Sequence, residues 1–268
     1  MEVHHHPKVE KKNFKQYFLE FLMLFLAVTL GFFAENLREH FVDRKMEKEY
    51  MESMVKDLKA DTTSFSRTIQ LYSSISRAID IMLTCLKSEN PDPSVINGIL
   101  SQQFWMYTGF IYNNETVQQL KNSGNFRLVK DRAVVDSILR YDNVINSFVV
   151  NQYNDLKSTL LSYKEAEARV FPYSELKNNK PLHVNWLRTR QDSLLLSGSF
   201  LYTLLDSSDF REVGQKTFIT HDKELIALYY NKLFIHDMLC HTFILSLTSS
   251  QQRATRLINL INKQYEFE

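Results

Sequence analysis

YFLEFLMLFLAVTLGFFAEN, residues 17–36, holds fourteen consecutive uncharged residues, Phe21 to Ala34, between Glu20 and Glu35. By length alone fourteen is ambiguous between a bilayer span and a core helix. Extending the run back to Tyr17 gives eighteen residues with one carboxylate near the end. As a helix that is about 27 Å, close to the thickness of a bilayer's hydrocarbon core. From 21 to 34 every face of the helix is apolar, with Thr29 as the one hydroxyl. A core helix of a soluble bundle keeps a polar face, so the stretch reads as a membrane anchor. Tyr17 and Phe18 stand where interfacial aromatics are expected, and Glu20 lies one turn inside the boundary, where it reaches headgroups. The anchor set is Tyr17, Glu20, Phe21, Gly31, Phe33 and Glu35. Its exit, Phe32-Phe33-Ala34-Glu35-Asn36, offers no small-residue cleavage site, so an uncleaved anchor is expected.

Orientation is balanced on charge alone. Lys8, Lys11, Lys12 and Lys15 precede the run, and Arg38, Arg44, Lys45 and Lys48 follow it. The reading places residues 1–16 as a short cytosolic tail, including His4-His5-His6, and 17–36 as the span. It places 37–268 as a helical domain, expected in the periplasm at a cell inner membrane.

Beyond the anchor the composition favours long helices. Hydrophobic residues make up 44% of the chain and aromatic residues 13%, enough for a sizeable core. Turn-rich sheet folds consume Gly and Pro, and only 6 and 5 are present. The expected fold is all-α: a transmembrane helix continuing into a long-helix antiparallel bundle with short accessory helices. No Pro or Gly interrupts residues 32–90, and Leu37, Phe41, Met46, Tyr50, Met54 and Leu58, then Phe65, Ile69, Tyr72, Ile75, Ile79, Met82 and Leu86, recur at roughly helical spacing. One helix over 37–89, or two joined by a kink near Asp61-Thr62-Thr63, accounts for this. After Asn90-Pro91-Asp92-Pro93, Ser94 is a fair cap for a short helix to Phe104.

Glu115 starts another short helix that ends at Gly124, a residue suited to a left-handed position. Phe126, Leu128 and Val129 form its expected plug. Asp131 caps a second long helix, 131–171, with the stripe Val134, Ile138, Tyr141, Ile145, Phe148, Gln152, Leu156, Leu160 and Tyr163. A loop over 172–190 and an apolar helix over 194–205 follow. The third long helix, 222–265, has Thr220 or Asp222 as its cap. It carries Leu225, Leu228, Leu233, Ile235, Met238, Phe243, Leu247, Leu257 and Ile261.

Several landmarks carry a resemblance. HHH (4–6), then YFLEFLMLFLAVTLGFFAENLREH (17–40), EKEYMESMVKDLKADT (47–62), QLKNSGNFRLVKD (119–131) and RLINLINKQY (256–265) together resemble a family of single-pass membrane proteins of Bacteroidota, a domain of unknown function. The resemblance implies a single-pass protein with a helical domain, and it implies no activity.

Chemistry is scarce in the chain. A net charge of +1 gives no global field for nucleic acid. No nucleophile elbow, zinc-protease motif or phosphate loop is present, so no catalytic residue and no cofactor are expected. The best polar cluster is His236, Asp237, Cys240 and His241. Its i,i+4 pairs permit metal ligation, but satisfied core groups are the more economical reading. The aromatic run Trp105, Tyr107, Phe110 and Tyr112, with Gly124 and Phe126, is either a partner surface or packing between helices. Cys85 and Cys240 are two buried thiols, or one disulfide if the domain is outside the cytoplasm.

The function expected is that of a membrane-anchored structural or interaction protein, touching the lipid bilayer and a protein partner or a second copy, and no nucleic acid. A ligand or stress sensor acting through a partner, and a metal-dependent enzyme, are the alternatives.

Overall fold

The computed structural model describes residues 13–90, 92, 95–96, 99–100, 110–171 and 220–267. Outside these lie Trp105 and Tyr107, the histidines of the tail, the expected helix over 94–104 except residues 95–96 and 99–100, which are helical, the loop over 172–190 and the apolar helix over 194–205. Among the described residues the protein is all-α. Helix α1 is Phe14–Lys87; α2 is Glu115–Asn122, followed by a 3-10 turn at Asn125–Leu128. Helix α3 is Arg132–Val144, a π-turn spans Ile145–Val149, α4 is Val150–Val170 and α5 is Lys223–Tyr265.

The chain divides into two units, Met1–Met51 and Glu52–Glu268. In the first, α1 begins at Phe14, three residues before the expected span. One 18-residue window of this helix has mean hydropathy 2.0 and no buried residue. That is long and apolar enough to cross a membrane.

The second unit is a bundle whose directions follow from its side-chain contacts. Along α1, Ser66, Tyr72, Ser76 and Lys87 meet Gln251, Phe243, Asp237 and Tyr230 of α5 in turn. One series rises while the other falls, so these helices are antiparallel. Helix α4 is antiparallel to α5 by the same logic: Tyr153, Thr159 and Glu167 meet Phe243, His236 and Tyr229. Residues 110–116 run back along α1, from Phe110 on Phe65 to Thr116 at Asp57. They form a strap that returns the chain toward the start of α3.

Helix α1 runs unbroken through Asp61-Thr62-Thr63. The hydroxyls of Thr62 and Thr63 both donate to the Lys59 carbonyl, which satisfies them without breaking the helix. Both expected caps form. Asp131 accepts from the amides of Ala133 and Val134, and Asp222 from those of Glu224 and Leu225. Gly124 has φ 68°, and nothing lies within 4 Å of where a Cβ would be. Conformation alone therefore selects glycine there. The turn it makes buries Leu128 and Val129 and half-buries Phe126.

Three expected stripes are corrected. On α1, Leu37 and Phe41 are 44% and 72% exposed, while Met51 and Met54 are buried. Phe148 is 55% exposed, and Val149 takes its place in the core. The π-turn, closed by the Val150 amide on the Ile145 carbonyl, widens one turn by a residue and shifts the register past Ile145. On α5, Leu228, Ile235 and Met238 are exposed, while Tyr229, His236, Asp237 and Cys240 are buried. Hydrogen bonds and ring contacts from α1 and α4 select that second face.

Candidate functional site

The first candidate is the apolar stretch of α1 that is long enough to cross a membrane. From Phe14 to Val42 the large apolar side chains stand in the open, Phe21 64%, Leu24 69% and Phe32 75% exposed among them. An ordinary water-facing helix shows single exposed apolar residues and no continuous sleeve. Thr29 donates to the Phe25 carbonyl, so its hydroxyl needs no water. Phe21 and Phe25 stack along one side. Tyr17 and Phe33 are exposed in the same sleeve, Glu20 is half-buried, and Gly31 has no side chain or other group within 4 Å of its Cβ position. Glu35 leaves the run paired with Arg38, an ion pair that closes the apolar stretch with a local charge couple.

The second candidate is polar and buried, where the strap crosses α1 and α3. Asp61 is fully buried. One of its oxygens accepts from the Asn113 amide and side chain at 2.8 and 2.9 Å, and the other from the Tyr141 hydroxyl at 2.7 Å. Asp57 accepts from the Thr116 amide. This matters because Asn114, the residue before α2, makes no side-chain cap of its own. A carboxylate from α1 thus caps α2 across the bundle, favourably placed against the helix dipole. Asp142 accepts from the Tyr112 hydroxyl at 2.7 Å, from Lys121 and from Asn146. The rings of Tyr112 and Tyr141 meet edge to face.

Burial pushes the Asp61 carboxyl above its ordinary range, against the pull of its three donors. Burial likewise raises the Tyr112 and Tyr141 phenols. Asp61 and Asp142 each accept three hydrogen bonds and Asp57 one, so the group serves as a latch. Sequence reasoning missed it, yet one signal was present: Asp61 falls between Leu58 and Phe65 at core spacing.

Two residues of the expected aromatic surface belong here. Phe110 packs on Phe65, Tyr153 and Phe243, and Tyr112 is tied to Asp142. Gly124 is exposed and Phe126 half-buried.

The cluster expected on α5 is split in two. His236 turns to α4, its Nδ1 2.8 Å from the Thr159 hydroxyl and its ring against Tyr163. Asp237 and His241 turn to α1 and meet at Ser76. Cys240 is buried, and burial raises its thiol pKa. Among the described residues no group of three or more His, Cys, Asp or Glu side chains is placed to hold a metal ion.

Ser76, Asp237 and His241 have the residue types of a hydrolase triad, and the geometry differs from one. The Ser76 hydroxyl donates directly to Asp237 at 2.6 Å. His241 uses one nitrogen, Nε2, toward both Ser76 at 3.0 Å and Asp237 at 3.4 Å. A triad carboxylate instead holds the nitrogen that the serine does not use, freeing the other to take the serine's proton. Burial raises the Asp237 carboxyl, opposed by the Ser76 hydrogen bond. Glu167 is a further buried carboxyl, accepting from Lys164 and from the Tyr229 hydroxyl, both at 2.7 Å; burial raises it too.

His236 makes a pH prediction. Burial depresses its pKa from 6.5 to about 4. The unfolded chain therefore binds more protons than the folded one between those values, and stability falls as pH drops from 6.5 toward 4. A shift of this size is worth about 3 kcal/mol. Asp61, Glu167 and Asp237 act with the opposite sign: their stability is present at low pH and is lost as pH rises through their raised folded values. His236→Gln keeps a partner for Thr159 and should flatten the acid limb alone. Urea midpoints of both proteins across pH 4–8 check this; parallel profiles would sink it.

The cysteines give a second prediction. Both are free. Ser76 is level with Asp237 and His241, so Cys240 lies at the height of Ser76. Cys85 is nine residues further along α1, about 13 Å by helical rise. A disulfide needs Cα atoms within about 7 Å. Mass spectrometry after mild oxidation should find both thiols alkylatable on denaturation; an intramolecular Cys85–Cys240 bond would refute the register.

No family model, curated protein or solved structure matches this chain.

Proposed function

We propose that this chain is a membrane-tethered helical interaction protein without catalytic activity, held by residues 17–36. The N-terminus is cytoplasmic and the bundle lies on the far side of an inner membrane, where it engages a protein partner or a second copy. One observation carries the reading: the apolar sleeve on α1 is not buried by any of the described residues, and its mean hydropathy is 2.0, high enough for a span. The exposed face of α5 adds support. Leu228, Ile235, Met238 and Leu245 are spaced by seven, three and seven residues, the rhythm of a helix-pairing seam. The buried polar groups engage one another and support a structural role for them.

The test is topology. Reporters fused at each end, one active only in the cytoplasm and one only outside it, should give opposite answers at the two ends. Equal signals on both sides would defeat the single-pass reading, and a reversed pair would defeat the orientation alone.

A further inference from the structure

On the side where α3 meets α5, a cleft of about 380 Å³ is lined by Arg140, Arg253 and Arg256, with Asp136 and Ser137. Three guanidinium groups against one carboxylate leave a formal charge of +2. These cations are not used up locally. Asp136 precedes Arg140 by four residues, the favourable order for a helical ion pair, but no such pair forms among the described residues. Arg253 also makes no ion pair or side-chain hydrogen bond among them, and Arg256 touches only the Gln252 carbonyl. Elsewhere on the helices, charges at this spacing do pair, as Arg169 does with Glu165 and Lys45 with Glu49.

Arg253 borders a second cleft, about 500 Å³, beside the π-turn. Phe148 and Leu245 give it apolar surface, and Thr242 and Ser246 give it hydroxyls. The altered register of the π-turn is what brings Phe148 out to this cleft. A charged end and an amphipathic end therefore adjoin, sharing one arginine.

We infer that the paired clefts bind an organic phosphate, with the phosphate held by Arg140, Arg253 and Arg256 and its organic substituent lying toward Phe148 and Leu245. Guanidinium groups suit this ligand because their planar donor fork matches phosphate oxygens in pairs. The same chemistry is offered by a soluble phosphoester and by an anionic lipid headgroup. The inference is independent of residues 17–36.

The full chain in nonionic detergent is titrated calorimetrically with glycerol 3-phosphate at low salt. Saturable binding is expected, weakened at least tenfold by Arg253→Ala, partly kept by Arg253→Lys, and unchanged by Arg67→Ala, an exposed arginine outside both clefts. The lipid arm compares amide exchange after reconstitution in phosphatidylglycerol and in phosphatidylcholine. Protection at 133–141 and 253–260 specific to phosphatidylglycerol, and lost in Arg253→Ala, assigns the headgroup. Binding in the calorimeter alone assigns the soluble ligand. Neither signal, or equal loss with Arg67→Ala, overturns the site. Unchanged circular dichroism of Arg253→Ala keeps a folding defect from passing for lost binding.

Discussion

The double substitution Leu26→Arg, Leu30→Arg is expected to move the protein from the alkali-washed membrane pellet to the supernatant. Both positions lie near the middle of 17–36, and both side chains are exposed on α1. An arginine at the centre of a span costs about 3 kcal/mol on insertion scales. Two cost about 6 kcal/mol, or roughly four decades in the insertion equilibrium, since each 1.4 kcal/mol is tenfold. The leucines they replace add to the loss. Leu26→Ile, Leu30→Ile should stay in the pellet, because it keeps the apolar surface. Wild-type protein released by alkali would dismiss the anchor; retention of the double arginine variant would assign the attachment to another surface.

Asp61→Ala is expected to destabilise the bundle by about 3–5 kcal/mol, the summed cost of leaving buried neutral donors without their acceptor at about 1–3 kcal/mol each. The Tyr141 hydroxyl and both Asn113 donors would lose their acceptor. Against a typical total of about 5–15 kcal/mol, this would leave much of the chain unfolded at modest temperature. Asp61→Asn should recover a good part of the loss, since one amide oxygen still faces Asn113 and Tyr141 can accept from the new amide. The strap would also loosen first. Amide exchange in 111–122 should quicken in Asp61→Ala more than exchange in α5. An Asp61→Ala variant as stable as wild type would show that the latch contributes nothing net.

These two substitutions probe different kinds of information. The apolar stretch is a local property. A run with apolar residues on all sides has the same meaning whatever it packs against, so it could be read from residues 17–36 directly. The caps are local as well: Asp131 and Asp222 bind amides two and three residues ahead. Gly124 is local because its backbone angle is a matter of one residue.

The latch is not local. Asp57, Asp61 and Asp142 are distant in sequence from the donors of the strap, and nothing in their own neighbourhoods names Asn113, Thr116 or Tyr112. What the sequence showed was a lone carboxylate at core spacing in α1, a feature equally compatible with a break in the helix. The cluster on α5 shows the same limit in reverse. His236, Asp237, Cys240 and His241 are close along the chain, and a helix spreads them over an arc wide enough to face two neighbours.

The amino-acid sequence by itself therefore determined the helical class, the apolar stretch, the caps and the glycine turn, because each depends on contacts within a few residues. Tertiary structure alone decided which face of α5 is buried. That helix carries one apolar seam through Leu228, Ile235, Met238 and Leu245, and another through Tyr229, Leu233, Cys240, Phe243 and Leu247. Periodicity rates both as cores. The choice falls to the second because Thr159 and Ser76 on the neighbouring helices satisfy His236 and Asp237 there. A buried polar group without such partners would cost more than the apolar area gained.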